Sequence, residues 1–268
     1  MANSNRKINA TGALYLYGIS EAPASPASNK PASKSVQKVP QRVPKLGSVG
    51  IDGVHAVKPL ACGDFICWVC EVDQASFASA VERNMENLEW LALHGVRHQQ
   101  VVGEVAERMT IVPARFGTVF SGEPALLKDV LGRKAALKKV FARVAGGDEW
   151  GVKVFAERQV TAVAVPKALS GKEYLQQKAA RLKRPERNDQ ELQDLAKVLD
   201  KIATDSAPSG KVSGAQPNLL WQATFLVPRA KRKQWDQALK NFVERWEGQR
   251  RIEVNGPWPP YSFVSDAE

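Results

Sequence analysis

The sequence has no apolar run approaching the roughly 20 residues that a membrane-spanning helix needs. Its opening stretch, MANSNRKINATG, also lacks the apolar core of a secretory signal. A cytoplasmic protein with no membrane partner is therefore expected. Cysteine is scarce, with three in 268 residues. An odd and small number does not describe a disulfide framework and fits a reducing compartment, so buried thiols are expected. The G-x-x-x-x-G-K-[ST] loop, the G-x-G-x-x-G turn and the G-x-S-x-G elbow are all missing. Carboxylates are plentiful, but no pair stands out for acid–base work. This reading assigns no catalytic constellation, cofactor or metal, and expects no enzyme.

Acid is nearly absent from the first 50 residues, where seven basic residues face only Glu21 and supply a surplus of six. The net charge of the chain is +10, so the remainder carries only +4. That distribution weakens the case for nucleic acid as a partner, because a binding face needs a basic stripe on the folded body. A basic nucleic-acid-binding or general adaptor module stays as the alternative function.

What is present reads as strands and helices in alternation. ALYLYGI (Ala13 to Ile19) has strand content and is followed by EAPASPASNKPASKSVQKVPQRVPKL. That Pro/Ala/Lys-rich segment, residues 21–46, has no apolar period and is expected to be a flexible insertion. Val54 to Leu60 and Phe65 to Val72, separated by Gly63 and Asp64, predict a hairpin. Gln74 to Arg108 has helical period, with Phe77, Val81, Leu88, Leu91, Val101 and Val105 at three- and four-residue steps and a break expected at Gly95. Pro124 to Val144 predicts one basic amphipathic helix, ended by Gly146 and Gly147.

A domain boundary is placed there, giving an N-terminal α+β domain over 1–147 and a C-terminal domain over 148–268 with a Pro/aromatic tail. In the second half a strand pair (Gly151 to Phe155, Val160 to Val165) precedes helical sequence from Lys172 to Ile202. The strand LLWQATFLV, a helix and the strand RIEVNG complete it. This is an α+β fold of two domains, each a variant of the ferredoxin-like βαββαβ arrangement. In the last helix Trp235, Leu239, Phe242, Val243 and Trp246 form an apolar stripe expected to pack on its own sheet. The RAKRK cluster before it, Arg229 to Lys233, reads as a solvated turn.

Two motifs invite a chemical reading. CWVC, Cys67 to Cys70, lacks a second ligand pair at zinc-finger spacing. Residues three apart on a strand also face opposite sides, so these thiols are poorly placed to share a metal or form a disulfide. HGVRH places His94 and His98 four apart but without the glutamate of a zinc-protease helix, and reads as helix-end polar contacts. In PARFG, Pro113 stiffens the chain, Arg115 offers a planar fork, Phe116 an anchor and Gly117 a turn. In GPWPPYSFV, Pro259 and Pro260 make a stiff rod that carries Trp258, Tyr261 and Phe263. The architectural reading has Arg115 paired within the fold and Trp258 and Tyr261 tying the tail down as a strap on the C-terminal domain. A contact surface for partners is the sharper alternative.

LYLYGI, GIDG, IVPARFGTVF, EWGVKV, EYLQQK, FLVPR and GPWPPYSFV occur in this order along nearly the whole chain. Together they resemble the gas vesicle protein family GvpL/GvpF, with PARFGTVF and GPWPPYSFV the most specific. The 21–46 insertion is longer than that pattern. The resemblance implies a non-enzymatic accessory or minor structural protein of gas vesicles, located in the cytoplasm and on the vesicle. It also implies partners in the hydrophobic shell subunit and other gas vesicle accessory proteins, during nucleation and assembly.

Overall fold

The computed structural model describes residues 12–23, 43–73, 77, 80, 81, 83, 84, 86–157, 190–208, 216 and 218–264. Most of the 21–46 insertion, the expected strand at 160–165 and the EYLQQK motif lie outside them. The chain divides into two compact units, each built on an antiparallel sheet: unit 1 covers 1–148 and 257–268, unit 2 covers 149–256. The Pro/aromatic tail, expected on the C-terminal domain, thus belongs with unit 1.

Unit 1 starts from β1 (Gly12–Glu21), whose apolar residues are buried on both faces. β2 (Lys58–Cys62) and β3 (Phe65–Asp73) form the expected hairpin across Gly63, which adopts φ +64°. The first of these strands begins four residues later than the sequence suggests, because Asp52 closes an Asx turn on Val54 and His55 that holds the preceding segment in a loop. β3 pairs antiparallel with β1, and β4 (Ile111–Pro113) with the other edge of β1, giving the order β2-β3-β1-β4. The short β5 (Val119–Phe120) also pairs with β1. The β1–β3 register shifts between Leu16 and Gly18. At Gly18 a Cβ would stand 2.7 Å from the Ile111 side chain, so glycine lets β4 close in.

Helices cover both faces of this sheet. α1 (Leu88–Ala106) buries His98, Val101, Val102 and Val105 against Tyr15, Tyr17, Trp68 and Cys70. The break in this helical region falls at Asn87 rather than Gly95. The Asn87 side chain accepts from the N–H groups of Glu89 and Trp90, capping α1, and the helix then runs straight through Gly95. A cap of this kind contributes about 1 kcal/mol, enough to offset an internal glycine. The single helix expected over 124–144 is two, α2 (Glu123–Gly132) and α3 (Lys134–Val144), hinged at Arg133. On this face Phe65 stacks on Phe141 at 5.8 Å.

Unit 2 has the sheet order β7-β8-β6-β9, from β6 (Gly147–Ala156), β7 (Asp205–Pro208), β8 (Leu219–Pro228) and β9 (Arg250–Trp258). α4 (Gln190–Ile202) and α5 (Arg232–Arg245) pack Leu195, Leu199, Trp235, Leu239 and Phe242 against Trp150, Val152, Val154 and Phe225. β7 has no sequence signature, since DSAP is polar and ends in proline. It survives as an edge strand paired only to β8. The RAKRK cluster is more than a solvated turn: the Arg232 guanidinium lies 3.8 Å over the Trp150 ring. From the apolar stripe of α5 Val243 is left exposed, while Trp235 and Trp246 are buried.

Candidate functional site

Four of the motifs, LYLYGI, GIDG, PARFG and the Pro/aromatic tail, converge on one buried aromatic junction of unit 1. Tyr15 and Tyr17, two apart on β1, point to the same face and meet edge to face at 4.9 Å. The Tyr17 hydroxyl accepts from the Ile51 N–H at 2.6 Å, which ties GIDG to β1. It also lies 3.2 Å from the Cys70 Sγ, placing its proton toward that sulfur. Around it, Gly50 has no room for a Cβ, which would meet the Cys70 side chain at 3.0 Å. The Arg97 guanidinium reaches the Ile51 carbonyl at 3.2 Å. Glu104 anchors the approach: although burial pushes its pKa up, the N–H groups of Gly47 and Ser48 bind the carboxylate and hold it below the usual range.

His98 stands at the centre of the junction and is 2% exposed. The Tyr15 hydroxyl lies 2.8 Å from its Nδ1 and accepts from the Gly117 N–H at 3.2 Å, so its own proton is available to Nδ1. Nε2 makes no hydrogen bond of full geometry among the described residues. Burial holds the imidazole pKa down to about 4, with the Ala114 carbonyl acting weakly the other way, so His98 is neutral at physiological pH. Burial likewise pushes both tyrosine hydroxyls well above their ordinary value. No helix-end contact describes His98. His94, in the second turn of α1, bonds the Trp90 carbonyl at 2.8 Å and stacks on its indole at 3.9 Å, so neither histidine sits at a helix end.

PARFG straddles the sheet edge. Phe116 joins the junction, 6.0 Å from His98, 6.5 Å from Tyr15 and 6.3 Å from Trp90. Gly117 adopts φ +87°, which turns its N–H onto Tyr15. Arg115 leaves the other way, exposed, on the rim of a cavity. From the tail, Pro259 and Pro260 are buried and Tyr261 packs against the junction with its ring 6.5 Å from His98. Trp258 is 49% exposed, so Phe263 and Val264, both buried, fix the tail in its place. Arg143 lies 5.8 Å over the Phe263 ring.

The structure therefore gathers Phe116, Gly117 and Tyr261 at one junction and leaves Arg115 and Trp258 outside it. His98 was legible only as the fourth residue after a histidine that proved superficial. The cysteines divide as strand geometry requires. Cys70 faces Tyr17, while Cys67 meets Cys62 across the hairpin at 3.0 Å on the other face. The Cys67 thiol is pushed up first by that contact and then by burial. Among the described residues no group of three His, Cys, Asp or Glu could hold a metal, and no helix is long and apolar enough to cross a membrane.

The outer surface of α1 exposes large aliphatic side chains. Leu88, Leu93 and Val96 are 79%, 51% and 54% exposed. Ala92, Gln99 and Gln100 complete the face, and Glu89 in its first turn is the one charge on it.

Fold and motifs together define the class, an α+β protein of two antiparallel sheets with an aromatic junction in unit 1 where LYLYGI, GIDG, PARFG and the tail meet. Residues 13–265 match the family model described as gas vesicle synthesis protein GvpL/GvpF, and the chain belongs to that family. It is 30% identical over 244 residues to gas vesicle protein L of a Streptomyces species, covering 83% of this chain and 88% of that protein. Gas vesicle protein F1 of Halobacterium salinarum is 28% identical over 170 residues, 62% of this chain and 67% of that protein. In fold, the chain is similar to crystal structures of gas vesicle protein GvpF from Anabaena and from Microcystis aeruginosa. The TM-scores are 0.64 and 0.63, at 22% and 20% identity, over 95% of this chain and 96% and 99% of those chains.

Proposed function

We propose that this chain is a non-enzymatic accessory or minor structural protein of gas vesicles, acting in the cytoplasm and at the vesicle. It binds the hydrophobic shell subunit and other accessory proteins during nucleation and assembly. Membership of the GvpL/GvpF family supports the gas vesicle role. The observation that carries the binding role is the outer face of α1. Three large aliphatic side chains in a nearly uncharged stripe on a protein of net charge +10 form a surface that water disfavours and an apolar helix or strand would cover. The buried junction beneath α1 holds that face rigid, so little ordering entropy is lost on docking. In this reading Phe116, Gly117, Pro259, Pro260 and Tyr261 position the surface, while Arg115 and Trp258 are exposed outside the junction.

We read both units as variants of the ferredoxin-like βαββαβ arrangement. In unit 2 the support is the sheet order β7-β8-β6-β9 with α4 before β7 and α5 between β8 and β9. In unit 1 it is the central antiparallel β1–β3 pair flanked by β2 and β4, with α1 connecting β3 to β4.

Deletion of this gene from a complete gas vesicle cluster in a heterologous host, followed by complementation, tests the function. Loss of vesicles with rescue by the native chain, and capture of the shell subunit with it, is the expected result. A chain carrying Leu93→Glu and Val96→Glu should fold and fail to rescue. Normal vesicles without the gene, or equal capture by the double variant, would reject this reading.

A further inference from the structure

An edge strand presents a row of backbone donors and acceptors that another strand can take up, and proline or brevity removes that invitation. In unit 1 the edges are short: β2 has five residues and carries Pro59, β4 has three and ends in Pro113, and β5 has two. In unit 2, β7 has four and ends in Pro208. β9 departs from this pattern. It is nine residues long, its one proline comes next to last, and none of the nine is buried. Among the described strands it pairs with β6 alone.

The register on β6 decides which way the β9 backbone faces. The Glu157 N–H donates to the Gln249 carbonyl at 3.0 Å. Further along, the Arg251 guanidinium lies 4.7 Å over the Phe155 ring, and the Asn255 carbonyl lies 3.9 Å from where a Gly151 Cβ would stand. Gln249, Arg251, Glu253 and Asn255 therefore turn their backbone groups toward β6, and the alternate residues Ile252 and Val254 turn theirs outward. On one face of the strand Ile252 packs against the unit 2 core and Val254 is 38% exposed. On the other face Arg251 is ion-paired to Glu253.

Charges on an edge strand ordinarily discourage pairing. These two have opposite sign and stand two residues apart, so a second copy can match them. In an antiparallel self-pairing, a two-fold axis at Arg251 or Glu253 would set like charges against each other, and one at Val254 would set Glu253 against Asn255. An axis at Ile252 sets Arg251 against Glu253 of the second copy, twice over, at the closely spaced positions between hydrogen-bonded pairs where side chains meet. The same register seats Val254 diagonally beside Ile252 of the second copy. We propose that the β9 edge pairs with the same edge of a second copy of this chain, antiparallel about Ile252, joining two four-stranded sheets into one. Backbone hydrogen bonds and covered aliphatic surface supply affinity, and the alternating charges fix the register. The inference concerns unit 2 and does not rest on the binding role read from α1.

The test is the association state of the full chain, measured by sedimentation equilibrium across the micromolar range, where a reversible dimer is expected. Val254→Pro removes an outward N–H without touching the ladder to β6 and should abolish the dimer. Glu253→Arg fills the seam with cations and should weaken association about tenfold or more. Adding Arg251→Glu to that variant restores opposite charges and should recover the dimer. Thermal midpoints taken at dilutions where the native chain is monomeric certify that each variant folds. For the register, a mixture of Arg251→Cys and Glu253→Cys chains should form an interchain disulfide under mild oxidation that neither chain forms alone. A monomer at every concentration, whether the edge stays bare or takes a strand of another protein, would overturn the proposal. A dimer that survives both Val254→Pro and Glu253→Arg, or a mixture that forms no disulfide, would do the same.

Discussion

The two units bury their large aromatic residues under different rules. In unit 1 the rings carry polar handles that are mostly satisfied: Tyr17 with Ile51 and Cys70, Tyr15 with His98 and Gly117, and the Trp68 indole with Ser20 at 3.0 Å. In unit 2, Trp235 and Trp246 are fully buried and neither indole N–H has a partner among the described residues. There packing and stacking hold the core, with Phe225 5.2 Å from Trp235 and Phe242 5.2 Å from Trp246. Hydrogen bonds specify where a loop must sit, whereas apolar contacts specify only that a volume be filled. Unit 1 uses the first device where GIDG, PARFG and the tail must meet.

Substitutions that separate volume from polarity sharpen this contrast. Trp235→Ala empties the centre of the unit 2 core and should cost about 3–5 kcal/mol in urea unfolding. Trp235→Phe should cost much less, because no hydrogen bond is lost; equal losses would mean that the indole N–H is satisfied after all. Acid should act on unit 1. His98 has a pKa of about 4 in the fold, below its ordinary 6.5, so the unfolded chain binds the proton first. Stability should be complete above pH 6.5 and fall as pH drops toward 4, by on the order of 3 kcal/mol. Tyr15 and Tyr17, which face the imidazole, are pushed up by burial, stay neutral there and do not mask the effect. His98→Gln should flatten that slope, as a pH series of denaturant midpoints would reveal.

Tyr17→Phe keeps the ring and strands the buried Ile51 N–H, for an expected loss of about 1–3 kcal/mol. A neutral result would mean that the loop finds another acceptor. Asn87→Ala should cost about 1 kcal/mol through the lost cap of α1, visible as reduced helical circular dichroism near the melting point. Smallest of all in stability is Leu93→Glu, within about 0.5 kcal/mol because the side chain is exposed. Its effect should appear in vesicle complementation instead, which distinguishes a docking face from a packing face.

The long elements were legible because their periods are strong. β1, β3, β8 and α5 lie where alternation and helical spacing place them, and the hairpin follows from Gly63. Shorter or polar elements were not. β7 carries no apolar residue beyond Ala207, so only its edge position against β8 makes it a strand. The helix over 124–144 splits because Arg133, at φ −96° and ψ 10°, departs from helical geometry at a point the apolar period passes through unbroken. Of the candidate residues, Phe116 and Tyr261 were recognisable as anchors from their motifs. What they anchor to was not, because His98 lies 18 residues from Phe116 and 163 from Tyr261 in the chain. The tail was read as a strap on the wrong half for the same reason: proline and aromatic content specifies stiffness and burial but no destination.

By itself, then, the sequence determined the α+β class, the strong periodic elements, the isolation of Cys67 from Cys70 and the ordered motifs that mark the family. Each rests on local geometry or on side-chain type, which neighbours in the chain are enough to specify. Only the tertiary structure decided that GIDG, PARFG, His98 and Tyr261 share one junction. Only it set an apolar helix face on one sheet and a nine-residue strand at the edge of the other. Those depend on strand register and on which surfaces helices leave uncovered, quantities set by contacts between residues far apart in the chain.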